Sequence, residues 1–406
     1  MHASILLQRW LAGACPFIHR RRLDALLLAV DALVHGRRLT LSELGRHLPG
    51  AGSARHGIKR LDRLLGNGHL HRERVRVYRA IAAHVLADQI RPVVLVDWSD
   101  LAPVAGRQTH LVLKAALAVQ GRAITLYEEV HTRSAYNGAG VHRRFLERLA
   151  TVLPVHCRPI VVSDAGFKGP WFEAVERHGW DWLGRVRGLV HHSTDAGASW
   201  APASALHPTA TAKARAIERV ALGKRRGTAA TLVLVSKYVR GRGRPHRGNG
   251  SAAKAGRRRH KEPWLLATSL PASVYRPERI VALYARRMQI ELTFRDDKGP
   301  RFGWALDYSG TRSVERRQVL LLIAALATLA AWLAGLAAER EGRARAVHGG
   351  GSGGRRTHST VFTGRQVLVR EPPWLTGEKP EAVWGWLPLV LMLTAEFLFD
   401  SVCGET

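Results

Sequence analysis

The chain has 406 residues, 46% of them hydrophobic, and 62 Lys and Arg against 32 Asp and Glu give a formal net charge of +30. That length predicts two or three domains with a sizeable buried interior, and a basic excess spread along the chain opposes compaction unless a polyanion is bound, which makes nucleic acid the first partner to expect. Cys15, Cys157 and Cys403 form no Cys-x-x-Cys pair, which argues against a zinc ribbon or a disulfide framework and fits a reducing cytoplasm, and the short apolar stretch after Met1 is too interrupted for a secretory signal.

Residues 1–90 read as helical. Leu23 to Val34 carries apolar residues at helical spacing, and Thr40-x-x-Glu43 resembles a capping box opening Leu41 to Leu48. A Gly-rich turn from Pro49 to Ser53 precedes Ile58 to Leu65, which is amphipathic and basic through Lys59, Arg60 and Arg63. Two short helices about a turn fit a helix-turn-helix DNA reader and fit a small bundle with a solvated basic face equally well.

From Pro92 the pattern turns to strands: Val93 to Val96, Leu111 to Gln120 and Ala123 to Val130 read as a three-stranded meander. A helix carrying Val141, Phe145, Leu149 and Val152 follows, then an apolar strand at Pro159 to Val162 and a further one at Trp182 to Val186. This order predicts an α/β fold with a ribonuclease-H-like core over 91–188 and 263–310. A β-rich basic insertion fills 189–262, with strands at Ala214 to Ala221 and Thr231 to Val239. Its end, Arg240 to Lys261, holds nine Lys or Arg and no acid, a composition that lies against DNA or serves as a linker. Trp264 to Thr268 reads as a strand and Pro277 to Phe294 as a helix. The region 311–406 is helical to about Arg345, with a Gly-rich hinge at Gly349 to Gly354 and a Trp- and Leu-rich end. Within it, Val319 to Ala338 has 20 residues without a charge, long enough to span a bilayer. Its Ala-rich composition and the charges on both flanks predict a buried helix and no membrane span.

Two acids stand at strand ends: Asp97 after Val93 to Val96, and Asp164 just past Ile160 to Val162. Either alone would most simply cap a turn. As a pair on neighbouring strands they suit phosphodiester chemistry, in which a few rigid carboxylates hold magnesium or manganese while an oxygen attacks in line at phosphorus. Tyr284, Arg287, Glu291 and Lys298 are spaced 3, 4 and 7 residues apart, which on one helix places an aromatic and two cations beside a third carboxylate.

The string Tyr284-x-x-Arg287-x-x-x-Glu291-x-x-x-x-x-x-Lys298 resembles the signature of the insertion-sequence-four family of bacterial cut-and-paste transposases at every position. Val96-Asp97-Trp98-Ser99-Asp100 is similar to the family's first catalytic block, Ser163-Asp164-Ala165-Gly166-Phe167 with Trp182 to Arg187 to its second, and Ile58 to Asn67 to its N-terminal block. The resemblance implies a magnesium-binding triad of Asp97, Asp164 and Glu291, with Tyr284, Arg287 and Lys298 on phosphates of the transposon end. It implies that Trp264 stacks on a flipped base, against which stands the plainer expectation of a buried strand tryptophan. It further implies 3′-end cleavage, a hairpin intermediate and strand transfer into target DNA by a homodimer at the bacterial nucleoid. A ribonuclease-H-like nuclease without joining activity and a decayed, purely DNA-binding protein are the alternatives.

Overall fold

The computed structural model describes residues 3–102, 109–119, 121–188, 190–236, 262–301, 303–344 and 358–370. The Arg240 to Lys261 segment, the Gly349 to Gly354 hinge and the C-terminal end with Cys403 lie outside them. In chain order the helices are α1 (Ala3–Ala14), α2 (Arg20–Gly36), α3 (Leu41–Arg46), α4 (Ala54–Leu65), α5 (Gly68–Leu86), α6 (Ala139–Val152), α7 (Gly169–Glu176), α8 (Pro277–Ala285), α9 (Met288–Lys298), α10 (Val314–Arg340) and α11 (Thr360–Arg370). The strands are β1 (Val93–Asp100), β2 (His110–Ala118), β3 (Ala123–Thr132), β4 (Ile160–Ser163), β5 (Asp181–Arg185), β6 (His191–Ser193), β7 (Ala201–Pro202), β8 (Arg215–Leu222), β9 (Thr228–Val235) and β10 (Trp264–Thr268). The fold is thus mixed α/β, consistent with a ribonuclease-H-like domain. The chain divides into two compact units, the first formed by Met1–Gly138, Glu147–Cys157 and Met288–Thr406, the second by Ala139–Leu146 and Arg158–Arg287.

In the first unit the N-terminal helices are set by their caps. Thr40 accepts from the Glu43 N–H at the start of α3, and Ser53 accepts from the His56 N–H at the start of α4. The two helices meet where neither residue has a side chain: a Cβ on Gly57 would stand 2.0 Å from the Gly45 carbonyl oxygen. Substitution of either glycine would push the helices apart. Strands β1, β2 and β3 form an antiparallel meander whose β2 is buried at every position, so its sequence is a near-continuous apolar run and not an alternation. Helix α10 is long and apolar enough to cross a membrane by length and composition, but 94% of its most apolar 18-residue stretch is buried in the protein. It packs closely on α11 at two glycines; a Cβ on Gly364 would stand 1.6 Å from the Ala331 carbonyl oxygen, and one on Gly335 2.0 Å from that of Thr360. Cys15 and Cys157 are buried thiols, and the Cys157 Sγ donates to Gln89 O at 3.1 Å.

In the second unit the strand order is β4-β5-β10-β9-β8-β6-β7. β4 and β5 run parallel, as their connection through α7 requires, and the remaining pairs are antiparallel. Gly184 on β5 lets the Phe172 ring of α7 sit against the strand, since a Cβ there would meet that ring at 2.7 Å, and Phe172 stacks on Trp182 with centroids 4.1 Å apart.

One expectation is corrected. The single helix expected over Pro277 to Phe294 is two, because α8 ends at Ala285 and α9 begins at Met288. The Arg286 N–H bonds back to Leu283 O and the Arg287 N–H to Tyr284 O, i→i−3 bonds that tighten and close the turn. Tyr284, Arg287, Glu291 and Lys298 therefore do not share one continuous helical face.

Candidate functional site

Asp97 stands in β1 and is 8% exposed. Its Oδ1 accepts the Trp98 N–H at 2.8 Å, which fixes the carboxylate on the strand. Its directly opposite neighbour on β2 is Lys114, and the neighbour of Lys114 on β3 is Glu128, so the three side chains form a row across one face of the meander. Helix α9 packs on β1, β2 and β3 and is tied to them by polar contacts. Thr293 Oγ1 accepts the Ala123 N–H at 3.0 Å, Lys114 Nζ meets Asp297 Oδ2 at 2.5 Å, and Arg122 Nε meets Asp296 Oδ2 at 2.5 Å. Lys298 Nζ donates to Ser99 Oγ at 2.9 Å and to Asp100 O at 3.1 Å, so the lysine expected on phosphate is anchored at the end of the strand that carries Asp97. Glu291 lies half-buried on the same helix, two turns before Lys298.

Burial works against a charged Lys114, but Asp297 and Glu128 outweigh it and hold the ammonium above its ordinary range. Asp296 and Asp297, the acids nearest Glu291 in sequence, are each engaged with a cation. Lys114 and Glu128 were not singled out by the sequence reading. The signal that marks Lys114 is a single charge inside the apolar run Leu111 to Ala118, since a fully buried lysine requires acidic partners.

In the second unit Asp164 follows β4 directly and its Oδ1 accepts the Gly166 N–H at 2.8 Å, a turn that fixes its side chain. The turn is pinned by Phe167, which stacks on His142 at 5.1 Å and packs on Trp171 at 4.7 Å. Tyr284, at the end of α8, is 4% exposed and meets Trp264 edge-on at 5.1 Å. Trp264 is partly exposed, not a fully buried strand residue. Arg185 lies 5.9 Å from the Trp264 ring and Arg287 6.0 Å from the Tyr284 ring. Burial raises the Tyr284 hydroxyl above its usual range; Arg287 and Arg185 act to lower it and Asp164 to raise it, so each of these groups lies within electrostatic reach of Tyr284. The Arg185 guanidinium is pushed down to about 10, first by burial and then by the like charge of Arg187. Asp164, Trp264, Tyr284 and Arg287 are thereby gathered in this unit, while Asp97, Glu291 and Lys298 belong to the first.

Lys59, Arg60 and Arg63 lie on α4, all exposed, whereas Gly57, Leu61, Leu64 and Leu65 of the same helix are buried. Arg60 Nη1 reaches Gly50 O at 3.4 Å across the turn between α3 and α4.

Among the described residues no group of three or more His, Cys, Asp or Glu stands ready to hold a metal ion. The donors present nonetheless suit one class of ion: Asp97, Asp164 and Glu291 offer hard carboxylate oxygens, two of the three oriented by backbone N–H groups. Magnesium is commonly held by one or two carboxylates together with substrate phosphate, and such a site is not a closed protein cage.

No curated protein matches the chain. The family profile described as Transposase DDE domain matches residues 88–327, more than half of the 406 and a span that contains Asp97, Asp164, Trp264, Tyr284, Arg287, Glu291 and Lys298. The three carboxylates and the cations beside them thus fall within a stretch matched as a whole, and the chain belongs to the transposase DDE domain family.

Proposed function

We propose that the protein is the cut-and-paste transposase of a bacterial insertion sequence, of the insertion-sequence-four type, with Asp97, Asp164 and Glu291 as its catalytic carboxylates. The observation that carries this reading is the cluster around Tyr284: a ring edge-on to Trp264 with Arg185 and Arg287 against the two rings, and the fixed carboxylate of Asp164 within its electrostatic reach, inside the stretch matched by the family. A carboxylate alone repels DNA; one among guanidiniums and an aromatic pair suits a strand whose phosphates are held while its bond is cut. Arg287 supplies a planar fork of donors to phosphate, Lys298 a point charge beside Asp97, and Trp264 a partly exposed ring for an unstacked base. The exposed face of α4, with Lys59, Arg60 and Arg63, reads the terminal inverted repeat, and two copies of the chain synapse the two ends.

Asp97, Asp164 and Glu291 would hold magnesium or manganese, which when bound neutralises charge at the phosphate and lowers the pKa of the attacking water. The same residues serve each in-line displacement in turn: water at the 3′ end, the freed hydroxyl on the opposite strand to form a hairpin, hairpin opening, and joining to target DNA. The protein works in the bacterial cytoplasm, at the nucleoid. Incubation with the DNA flanking its own gene and magnesium, followed by sequencing of the ends, tests the reading. Cuts at terminal inverted repeats that vanish in Asp97→Asn are expected; cleavage that persists without a divalent ion would overturn the carboxylate assignment.

A further inference from the structure

Lys114 is 1% exposed in the middle of β2, and its ammonium meets two acids from other elements, Glu128 Oε2 of β3 at 3.1 Å and Asp297 Oδ2 of α9 at 2.5 Å. Glu128 is held in its own right: Tyr78 of α5 donates to its Oε1 at 2.8 Å, and Arg74 Nη1 donates to its carbonyl at 2.7 Å. Buried ion pairs are poor stabilisers, because desolvation offsets most of the Coulomb attraction, and apolar residues of similar volume serve as well or better. What such a pair does supply is register. A slip of α9 by one residue would carry Asp297 about 100° around the helix and about 1.5 Å along it, away from the single buried ammonium. The strand residue directly opposite Lys114 is Asp97, and the helix held by Asp297 is the one that carries Glu291.

We propose that the Asp297–Lys114–Glu128 network is a positioning device that locks α9 in register on β1 and so sets Glu291 relative to Asp97 for binding a divalent cation. This rests on the reading of Asp97 and Glu291 as catalytic carboxylates. The network joins the two elements that bear them through side chains that are buried: Lys114 and Glu128 at 1% and Asp297 at 5% exposure. Thr293 to Ala123, Arg122 to Asp296 and Lys298 to Ser99 are further tethers on the same helix, but they reach the edge strand β3, the turn before it or the end of β1, whereas Lys114 is the tether directly opposite Asp97.

The test uses full-length protein and its variants Lys114→Met, Asp297→Asn and the combined Lys114→Met/Glu128→Gln/Asp297→Asn. Three quantities are read: thermal unfolding with and without Mn2+, binding to end DNA without metal, and the Mn2+ dependence of cleavage. Lys114→Met is expected to raise the Mn2+ concentration for half-maximal cleavage by on the order of 10- to 100-fold and to shrink the Mn2+-induced rise in unfolding temperature, with end binding unchanged. The combined variant, which leaves no buried charge unpaired, should recover thermal stability without recovering the Mn2+ response. A network with only a structural role would recover both, and that result overturns the proposal. Wild-type Mn2+ dependence in a folded Lys114→Met overturns it as well. If Lys114→Met does not fold, Asp297→Asn decides by the same criteria, since it keeps the side chain's size and an acceptor for the lysine. Wild-type cleavage by Asp97→Asn would instead sink the underlying assignment, whatever the network does.

Discussion

The face beneath α9 in the first unit and the cluster around Tyr284 in the second both hold acids and bases, but in different balance. Beneath α9 and along β3 four acids are matched with cations: Asp297 and Glu128 with Lys114, Asp296 with Arg122, and Glu129 with Arg148. Around Tyr284 the described groups are Arg185, Arg187 and Arg287 against Asp164 and Glu262, and burial first, then the like charge of Arg187, lowers the Arg185 guanidinium. Matched charge fixes a scaffold. Surplus positive charge beside aromatic rings is relieved by a polyanion, so on the proposed reading the cluster around Tyr284 is where DNA phosphate gains most.

The largest effect expected is on chemistry. Asp97→Ala and Asp164→Ala should each reduce end cleavage by about three orders of magnitude, roughly 4 kcal/mol of transition-state stabilisation, while end binding in a gel shift persists. Loss of cleavage in only one of them would mean that the two regions do not act on the same step. Next in size is a stability effect confined to the matched region. Burial works to raise the Glu129 carboxyl, but hydrogen bonds from His131, Tyr127 and Arg148 outweigh it and hold it at about 2 against an ordinary 4.5. A carboxyl lowered on folding stabilises above 4.5, and the gain is lost as pH falls from there through 2. Glu129→Gln should therefore cost up to about 3 kcal/mol in denaturant unfolding at pH 7 and progressively less below pH 4.5. A difference that does not change with pH would show that the network acts through packing alone.

Much of this was legible in sequence where the determining contacts are local. Thr40 caps α3, Asp164 makes its own turn with Gly166, and the runs that form β1, β2 and β3 are apolar enough to name themselves. The break between α8 and α9 was not legible, since Arg286 and Arg287 are good helix formers and no Gly or Pro marks the position. The Lys114 network was hidden for another reason: Lys114 and Asp297 are 183 residues apart, and only the fold makes them partners. The same holds for the place of β10 between β5 and β9, and for Trp264 against Tyr284.

The imbalance of the second unit is testable through Arg287. Arg287→Ala should weaken end binding by about 1.5 to 3 kcal/mol, the usual worth of a charge-assisted contact. Arg287→Lys should recover only part, because a lysine cannot reproduce a planar fork against phosphate. Arg122→Ala, in the matched region, should leave end binding near wild type. Equal losses at Arg122 and Arg287 would erase the distinction between the two regions.

The smallest expected effect per residue lies at Lys59, Arg60 and Arg63 on the exposed face of α4. Lys59, Arg60 and Arg63 are exposed while the apolar side of the helix is buried, so replacing them with Ala removes no core contact and should move stability by no more than about 0.5 kcal/mol. On the proposed reading their contribution is to long-range attraction and counterion release. Each phosphate neutralised contributes about 0.9 to the slope of log affinity against log salt. The triple Ala variant should therefore flatten that slope by between one and three phosphate contacts, with most of the loss in affinity appearing at low salt. Sequence preference follows from which element reads bases. If α4 lies in the major groove, the triple variant loses discrimination between the terminal repeat and random DNA along with the slope. If α4 is a solvated basic face, the slope falls and the discrimination stays. An unchanged slope would remove α4 from the DNA interface and leave recognition of the ends to the second unit.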